Sequence, residues 1–164
     1  MCDDYIIRTA TIDDLDEIHN VESECFSKNE AATKKQFEER LTYYPTHFWL
    51  IFDDDKLIAF IDGFTTNKKD LTDEMFEDAS LHDESGDWQM IFGLNTRPNY
   101  RKRGLAGKLV NHLIDNAKNE NRSGVVLTCK EELISYYSRF GFVDEGISES
   151  KHGGAVWHQM RLTF

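Results

Sequence analysis

The sequence predicts one α/β domain over residues 1–164, in which a central mixed β-sheet of about six to seven strands carries helices on both faces. Segments with the patterns of strands alternate with segments of helical spacing, in the order β-α-α-β-β-β-α-β-α-β-β. The 164 residues are 40% apolar and 12% aromatic, which is enough for one domain with its own core. We find no internal repeat, linker or low-complexity tract.

The first part of the chain predicts a strand followed by two capped helices. Tyr5–Arg8 has the character of a short strand. Thr11 with Asp14, and later Thr33 with Gln36, have the spacing of helix N-caps followed by apolar residues at helical spacing. Each helix therefore starts at a threonine, and an irregular polar joint separates the two.

The middle of the chain combines a β-hairpin with an acidic segment. Apolar runs at residues 47–52 and 57–64 flank the turn Asp53-Asp54-Asp55-Lys56. Residues 70–87 then hold eight carboxylates and no lysine or arginine. Such a segment is either a solvated loop or a rim whose field attracts an amine, and both interpretations stay open.

The last part predicts a β-α-β unit followed by a short helix and two closing strands. The predicted elements are a strand at 88–96, a helix from 105, a strand at 124–129, a short helix at 133–140, and extended segments at 142–147 and 156–164. This order places helices between strands and completes the mixed sheet.

Charge and composition exclude several classes of function. The net charge of −11 makes nucleic acid an unsuitable partner. The longest apolar runs are too short to span a membrane, and residues 1–4 lack the basic start of a secretion signal. Cys2, Cys25 and Cys129 have neither metal-binding nor disulfide spacing. We therefore expect a cytoplasmic protein that binds no metal.

A buried strand, a basic turn and a helix start follow one another in residues 90–109. Glycines let the backbone approach a ligand closely, and the first amides of a helix lack intrahelical partners. The helix dipole and the adjacent basic side chains favour an anion such as a pyrophosphate. The predicted phosphate-binding turn consists of Arg101, Lys102, Arg103, Gly104, Leu105, Ala106 and Gly107.

The pattern of this turn is Arg-x-x-Gly-x-Ala, which lacks the features of a Walker loop or a dinucleotide-binding turn. In this respect the chain resembles the GNAT acyltransferase superfamily, whose signature turn grips the pyrophosphate of coenzyme A. The resemblance implies the GNAT fold, acetyl-CoA as co-substrate and a primary amine as acceptor. It also implies that the amide near Leu94 stabilises the thioester oxygen, and that Asn95 and Thr96 pair with the pantetheine arm.

The segment Tyr137-Ser138-Arg139-Phe140-Gly141-Phe142 narrows the resemblance. It is similar to the Tyr-x-Arg-Phe-Gly-Phe run of the arylalkylamine N-acetyltransferase branch, in its bacterial form. Tyr137 aligns with the family tyrosine that protonates the leaving thiolate, which makes Tyr137 a predicted catalytic and coenzyme-binding residue. Tyr136 is the alternative, because adjacent helical residues point about 100° apart.

The sequence departs from the family pattern at the positions of the general base. The resemblance assigns two strand histidines to this role in vertebrate enzymes, but Met90 and Phe92 occupy the aligned positions and move no proton. Insect members use a glutamate near the helix joint, and Glu30 in that joint is the predicted base. Glu22 and Glu24 are expected to lie on a solvated helical face.

Three other residues with suitable chemistry receive structural interpretations. His152 precedes two glycines and predicts a turn, and His158 alternates with core positions as a satisfied histidine would. Cys129 lies on a strand without a histidine partner, so we expect a small buried apolar residue.

Alternatives to small-amine acetylation remain. A module that binds acyl-CoA as a sensor without turnover keeps the same turn, and an acetyltransferase acting on a protein or peptide amine uses the same chemistry. The acceptor is expected to be a small aromatic or aliphatic amine, and the chain either a monomer or a homodimer.

Overall fold

The computed structural model describes residues 5–164. The strands are β1 (Ile6–Thr9), β2 (Phe48–Asp53), β3 (Lys56–Asp62), β4 (Thr65–Thr66), β5 (Trp88–Ile91), β6 (Gly93–Thr96), β7 (Gly124–Cys129), β8 (Val143–Ile147) and β9 (His158–Thr163). The helices are α1 (Leu15–Cys25), α2 (Lys34–Tyr43), α3 (Asp73–Glu77), α4 (Leu105–Asn119) and α5 (Ile134–Ser138). Cys2 and the other residues before Tyr5, which entered the predictions on cysteines and export, lie outside this range.

The strands form two sheets, in the orders β1-β2-β3-β6 and β4-β5-β7-β9-β8. The β5–β7 pair is parallel, whereas the other pairs are antiparallel. The predicted elements occur in the predicted order, but the structure adds helix α3 and has more strands than the six to seven predicted. A short β4 precedes the acidic segment, and the strand predicted at 88–96 breaks at Phe92 so that its two halves join different sheets.

The helix starts follow the predicted caps. Thr11 and Asp14 form a capping box on a 3₁₀ turn that leads into α1, and Arg8 donates two hydrogen bonds to the Asp14 carboxylate. Thr33 and Gln36 form the second box at the start of α2. In both boxes a side chain satisfies a backbone amide that the helix cannot.

Helices cover both faces of the sheets, as predicted. Ile18 of α1 and Phe37 of α2 pack with Leu50 on one face. Ile51, the next residue of β2, packs on the other face with Leu109 of α4. Successive strand residues thus belong to different apolar clusters, as the period of two requires.

Most carboxylates of the acidic segment are exposed, as the solvated interpretation expected, but the segment is not a loop throughout and is partly core. Leu71, Met75 and Ala79 are buried, and the segment forms α3 and a 3₁₀ turn. Its carboxylates lie mainly between these apolar positions. Within residues 5–164, every helix is too short or too polar to cross a membrane.

Candidate active site

The break at Phe92 leaves one edge of β6 open. β6 is the last strand of its sheet and pairs only with β3 in the described strand order. Arg97 N–H donates to the Ile58 carbonyl at 2.8 Å. Because antiparallel bonding alternates, the backbone of Asn95 also faces β3, while the amides of Leu94 and Thr96 face the open edge. A ligand in extended form therefore meets two free amides along β6.

Asn95 does not fit the role predicted for it. Its backbone faces β3, and its buried side chain donates from Nδ2 to Glu22 Oε1 at 3.0 Å. It therefore has no backbone group left for a pantetheine arm at the open edge. Leu94 and Thr96 have the outward amides.

The basic turn forms a pocket of about 210 Å³ at one end of this edge. Of the predicted coenzyme residues, the following line it: Thr96, Arg101, Lys102, Gly104, Leu105, Ala106 and Gly107. Gly104 is the N-cap of α4 with φ of 77°, a conformation that favours glycine. The first amides of α4 are free of intrahelical partners. These donors and the basic side chains suit a pyrophosphate.

Two arginines have structural contacts within this turn. Arg101 Nε donates to the Thr96 carbonyl at 3.1 Å, which ties the turn to the end of β6. Arg103 donates to the Tyr5 hydroxyl at 3.1 Å and lies over the Tyr100 ring, outside the lining of the pocket. Arg101 therefore lies closer to the predicted phosphate position than Arg103.

A larger cleft of about 390 Å³ lies at the other end of β6. The joint between α1 and α2, helix α3, the break at Phe92, the end of β7, α5 and the loop at 150–157 form its walls. Leu94, Glu30 and Tyr137, three residues predicted from the sequence, line this cleft together. The fold thus brings the predicted oxyanion donor, base and acid into one space.

Tyr137 and Tyr136 face different pockets. Tyr137 is 7% exposed and lines the cleft, whereas Tyr136 is half-buried and lines the pocket of the basic turn. Burial, and to a smaller extent the neighbouring Cys129 and Tyr136, raises the pKa of the Tyr137 phenol well above its ordinary value. The phenol is therefore protonated at neutral pH and is suited to donate a proton.

Glu30 lies in the cleft wall in an ion pair. Its Oε2 is 2.6 Å from Lys130 Nζ, and the Glu30 side chain is 18% exposed. The prediction that Glu30 faces the acceptor side fits its position. One of its carboxylate oxygens is held by a cation, which leaves the other oxygen for the role of base that the sequence predicts.

Glu22 contradicts the expectation of a solvated position. It is 6% exposed, lines the cleft, and accepts hydrogen bonds from Ala32 N–H at 2.8 Å and from Asn95. Burial raises its pKa, although these bonds and the charge of Arg40 oppose that rise. The sequence held a signal for this placement, since position 22 follows Ile18 by four residues on the apolar stripe of α1. Glu24 is exposed, as expected.

The prediction also missed the part that His152 plays in the roof of the cleft. His152 lies in a 3₁₀ turn, as its glycines indicate, but its ring stacks on Phe76 at 5.8 Å and its Nε2 is 2.8 Å from the Glu30 carbonyl oxygen. Gly153 lies against Glu30 as well. The loop at 150–157 therefore bridges the helix joint and α3 over the cleft.

The remaining candidates have the expected environments, with one addition. His158 is partly buried and bonds to Asp144. Cys129 is buried and its thiol pKa is raised to about 11, mainly by desolvation, so it stays a thiol, but it also lines the cleft beside Tyr137. Met90 is fully buried, whereas Phe92 lines the cleft.

A further cluster of titratable groups lies outside the cleft. The side-chain nitrogens of His47 and His82 and the carboxylate of Glu84 lie within 4.8 Å of one another, a spacing that a metal ion requires. His82 Nδ1, however, accepts from Thr65 N–H, so the proton of the neutral ring is on Nε2, which donates to Glu84. Arg122 also donates to Glu84. The hydrogen bonding therefore describes an ion-pair cluster and not a ligand set.

The chain is similar to several known proteins in sequence or in fold. A probable glucosamine 6-phosphate N-acetyltransferase 2 from Oryza sativa subsp. japonica is 40% identical over 47 residues, which are 29% of this chain and 28% of that protein. The loading GNATL domain of CurA from Lyngbya majuscula superposes with a TM-score of 0.83 at 17% identity over 97% of each chain. The ribosomal-protein-S18-alanine N-acetyltransferase from Escherichia coli gives 0.73 at 18% identity over 97% of this chain and 93% of that one.

These two structural similarities show the fold, and the family comparison goes further. The model of the acetyltransferase (GNAT) family matches residues 15–142, which include α1, the basic turn and α5. Because this match covers well over half of the sequence, the chain belongs to the GNAT acetyltransferase family.

Proposed function

We propose that this protein transfers acetyl from acetyl-CoA, the co-substrate of its family, to a small primary amine. The observation that carries the proposal is the alignment of two pockets along one open strand edge. Leu94 lines the cleft, and Thr96, about 7 Å further along β6, lines the pocket at the basic turn. Pyrophosphate at the turn and thioester in the cleft then require an extended pantetheine arm beside β6.

The residues of the cleft supply the groups that acetyl transfer needs. The outward amide of Leu94 is suited to stabilise the negative charge that develops on the thioester oxygen. Tyr137 provides the proton for the departing sulfur. Glu30, the base predicted from the sequence, borders the same space, with its Oε1 free of the bond to Lys130.

The shape and charge of the cleft support a small cationic acceptor. The aromatic side chains of Phe26, Phe76, Phe92 and Trp157 contribute to its walls. Its lining has four carboxylates (Glu22, Glu30, Asp73 and Glu77) against Arg40, Lys151 and the imidazole of His152. An ammonium ion on an aromatic skeleton matches both properties. This match, with the Tyr-x-Arg-Phe-Gly-Phe run, supports an arylalkylamine or a related aliphatic amine.

The alternatives have less support. A sensor without turnover needs no protonated tyrosine at the thioester end, yet Tyr137 borders an open cleft. A protein or peptide acceptor needs an exposed groove, whereas the loop at 150–157 closes over this cleft through Lys151 and His152. Both alternatives are separated from the proposal by experiment.

The test is release of coenzyme A thiol from acetyl-CoA in the presence of tryptamine, phenylethylamine, spermidine or lysine-bearing peptides. Amine-dependent release by the wild-type protein, reduced about 100-fold in Tyr137→Phe, is the expected result. Acetyl-CoA binding without release on any amine would support the sensor. Release with peptides alone would support the protein acetyltransferase.

A further inference from the structure

A buried polar cluster lies behind the wall of the cleft. Arg40 of α2 is 4% exposed, and its Nη1 is 3.2 Å from Asp62 Oδ2 of β3, which is fully buried. Arg40 Nη2 donates to the Phe76 carbonyl at 3.0 Å. Glu22 and Asn95, joined at 3.0 Å, are the neighbouring buried pair. Two carboxylates and one guanidinium therefore lie together in the interior.

The hydrogen bonding of this cluster is incomplete. Arg40 Nε, Tyr44 Oη, Asp62 Oδ1 and Asn95 Oδ1 are all buried and lack a partner within the described residues. A buried polar atom without a partner is unfavourable, so four of them in one cluster require an explanation beyond packing. The cluster has spare acceptor and donor sites for a water or a moving proton.

Gly93 brings this cluster to the reacting end of the cleft. The point where a Cβ atom on Gly93 would lie is 3.0 Å from Asp62 Oδ1, 3.4 Å from Asn95 Nδ2 and 3.8 Å from Glu22 Oε1. Gly93, Glu22 and Arg40 all line the cleft, and Leu94 with its outward amide follows directly. Glycine at this position thus lets two carboxylates come near the place where the thioester carbonyl is expected.

We infer, on the basis of the acetyl transfer proposed above, that Glu22 is the base that removes the proton from the attacking amine, and that Asp62 and Arg40 are positioning residues that set its charge. The ammonium ion gives one proton to the Glu22 carboxylate, and the neutral nitrogen forms the C–N bond as the carbonyl π pair moves to oxygen. The pair on oxygen then re-forms the carbonyl as the C–S bond breaks, and the departing sulfur, which keeps the C–S pair, takes the Tyr137 proton. The second nitrogen proton restores Tyr137, and Glu22 releases its proton to solvent.

The environment of Glu22 suits this role. Burial raises its pKa above the ordinary value, while the hydrogen bond from the Ala32 amide and the positive charge of Arg40 act in the opposite direction. Asp62 is raised to a pKa of about 7, mainly by burial and also by the charge of Glu22, with Arg40 opposing the rise. Tyr44, whose own pKa burial raises, is the further titratable group beside Asp62. A base of this kind is half-ionised closer to working pH than an exposed glutamate.

Glu30 offers the direct comparison. Its Oε2 is held by Lys130, and it borders the cleft on the side of the loop at 150–157. Glu22 has no cation at bonding distance among the described residues, and its hydrogen-bond donors are the neutral Ala32 amide and Asn95. The carboxylate nearer to Gly93 and without an ion pair is the stronger candidate for proton removal.

The experiment measures kcat/KM against pH for the wild type, Glu22→Gln and Glu30→Gln, with Glu24→Gln as the matched control from the exposed side of α1. We expect Glu22→Gln to lose at least about 100-fold in kcat, with coenzyme A binding by calorimetry unchanged, and Glu30→Gln to lose less. Glu24→Gln should stay at the wild-type level. Activity of Glu22→Gln within threefold of an active wild type would overturn the inference alone, whereas no amine-dependent turnover by the wild type would overturn both proposals.

Asp62→Asn gives a second readout that leaves Glu22 in place. Because Asp62 keeps its proton up to a pKa of about 7, it becomes a negative neighbour of Glu22 only above that pH. Asp62→Asn should therefore remove the change of kcat/KM near pH 7 and leave the rise at lower pH in place. A purely structural Asp62 would reduce kcat/KM at every pH without changing the shape of the profile, and that result would overturn the positioning role. Thermal unfolding of each variant confirms that folded protein is compared.

Discussion

Tyr136 and Tyr137 are adjacent on α5, with ring centroids 5.2 Å apart and planes at 80°, yet they line two different pockets. Tyr137 faces the cleft, and Tyr136 faces the basic turn. A single short helix thus reaches both ends of the edge along β6. The relationship separates the expected effects of Tyr137, the predicted proton donor, from those of Tyr136, its alternative.

Tyr136→Ala should raise the KM for acetyl-CoA about tenfold and leave kcat within about twofold, because Tyr136 contacts the pocket of the basic turn and not the cleft. Tyr137→Phe should instead lower kcat and leave the KM for acetyl-CoA nearly unchanged, because only the proton donor is lost. Steady-state kinetics with acetyl-CoA varied at saturating amine separates the two. A fall in kcat in Tyr136→Ala equal to that in Tyr137→Phe would contradict the assignment.

Gly104 and Gly107 should respond to alanine with opposite changes in stability. Gly104 has φ of 77°, so Gly104→Ala should destabilise the protein by about 1 kcal/mol. Gly107 lies within α4, where a Cβ atom would meet only a Phe140 ring carbon at 3.8 Å, so Gly107→Ala should stabilise by about 0.5–1 kcal/mol. Thermal unfolding without ligand measures both changes.

The same two variants also test the phosphate pocket. Both glycines line it, so each added methyl group should weaken coenzyme A binding about tenfold in calorimetry, whichever way stability moves. If Gly107→Ala is more stable than the wild type and binds coenzyme A as tightly, the assignment of this turn as the pyrophosphate site is contradicted.

Local chemistry explains why much of the fold was predictable. The capping boxes at Thr11 and Thr33 depend on residues three apart, and the hairpin at 53–56 lies between two apolar runs. Such signals are complete within a few residues of sequence. The break at Phe92 has no such local signal. It lies where the strand changes partner, because residues 88–91 pair with β7 and residues 93–96 pair with β3.

The candidate site was predictable where backbone chemistry dominates and less so where burial decides. The turn at 101–107 was predictable from its glycines and basic residues. Glu22 and His152 owe their positions to contacts with Asn95 and Phe76, far away in sequence. The apolar stripe of α1 indicates that position 22 faces inward, but it does not show which distant residues would hold a glutamate there.

His152→Ala should raise the KM for the amine about tenfold while the KM for acetyl-CoA stays unchanged. The ring of His152 stacks on Phe76 and bonds to the backbone of Glu30, so its loss opens the roof on the acceptor side only. His112→Ala, an exposed position on α4, is the control for loss of an imidazole. Equal changes in both Michaelis constants would show that His152 supports the whole fold and not the acceptor side.

Glu84→Gln should destabilise the protein at neutral pH and lose this effect in acid. His47, His82 and Arg122 surround the Glu84 carboxylate. Although burial raises its pKa, the contacts with His47 and His82 lower it below the ordinary value in total. A carboxylate with a lowered folded pKa stabilises above its unfolded pKa, and the contribution disappears as pH falls through the folded pKa.

The expected difference in unfolding free energy between the wild type and Glu84→Gln is about 1 kcal/mol near pH 7, a modest value because the Glu84 side chain is 61% exposed. It should shrink steadily below about pH 4.5, where the unfolded carboxyl also becomes protonated. Urea unfolding of both proteins across this range measures it, with the exposed Glu149→Gln as control. A difference that stays constant with pH would contradict the prediction, because it would show that the charge of the Glu84 carboxylate is not the source of the stabilisation.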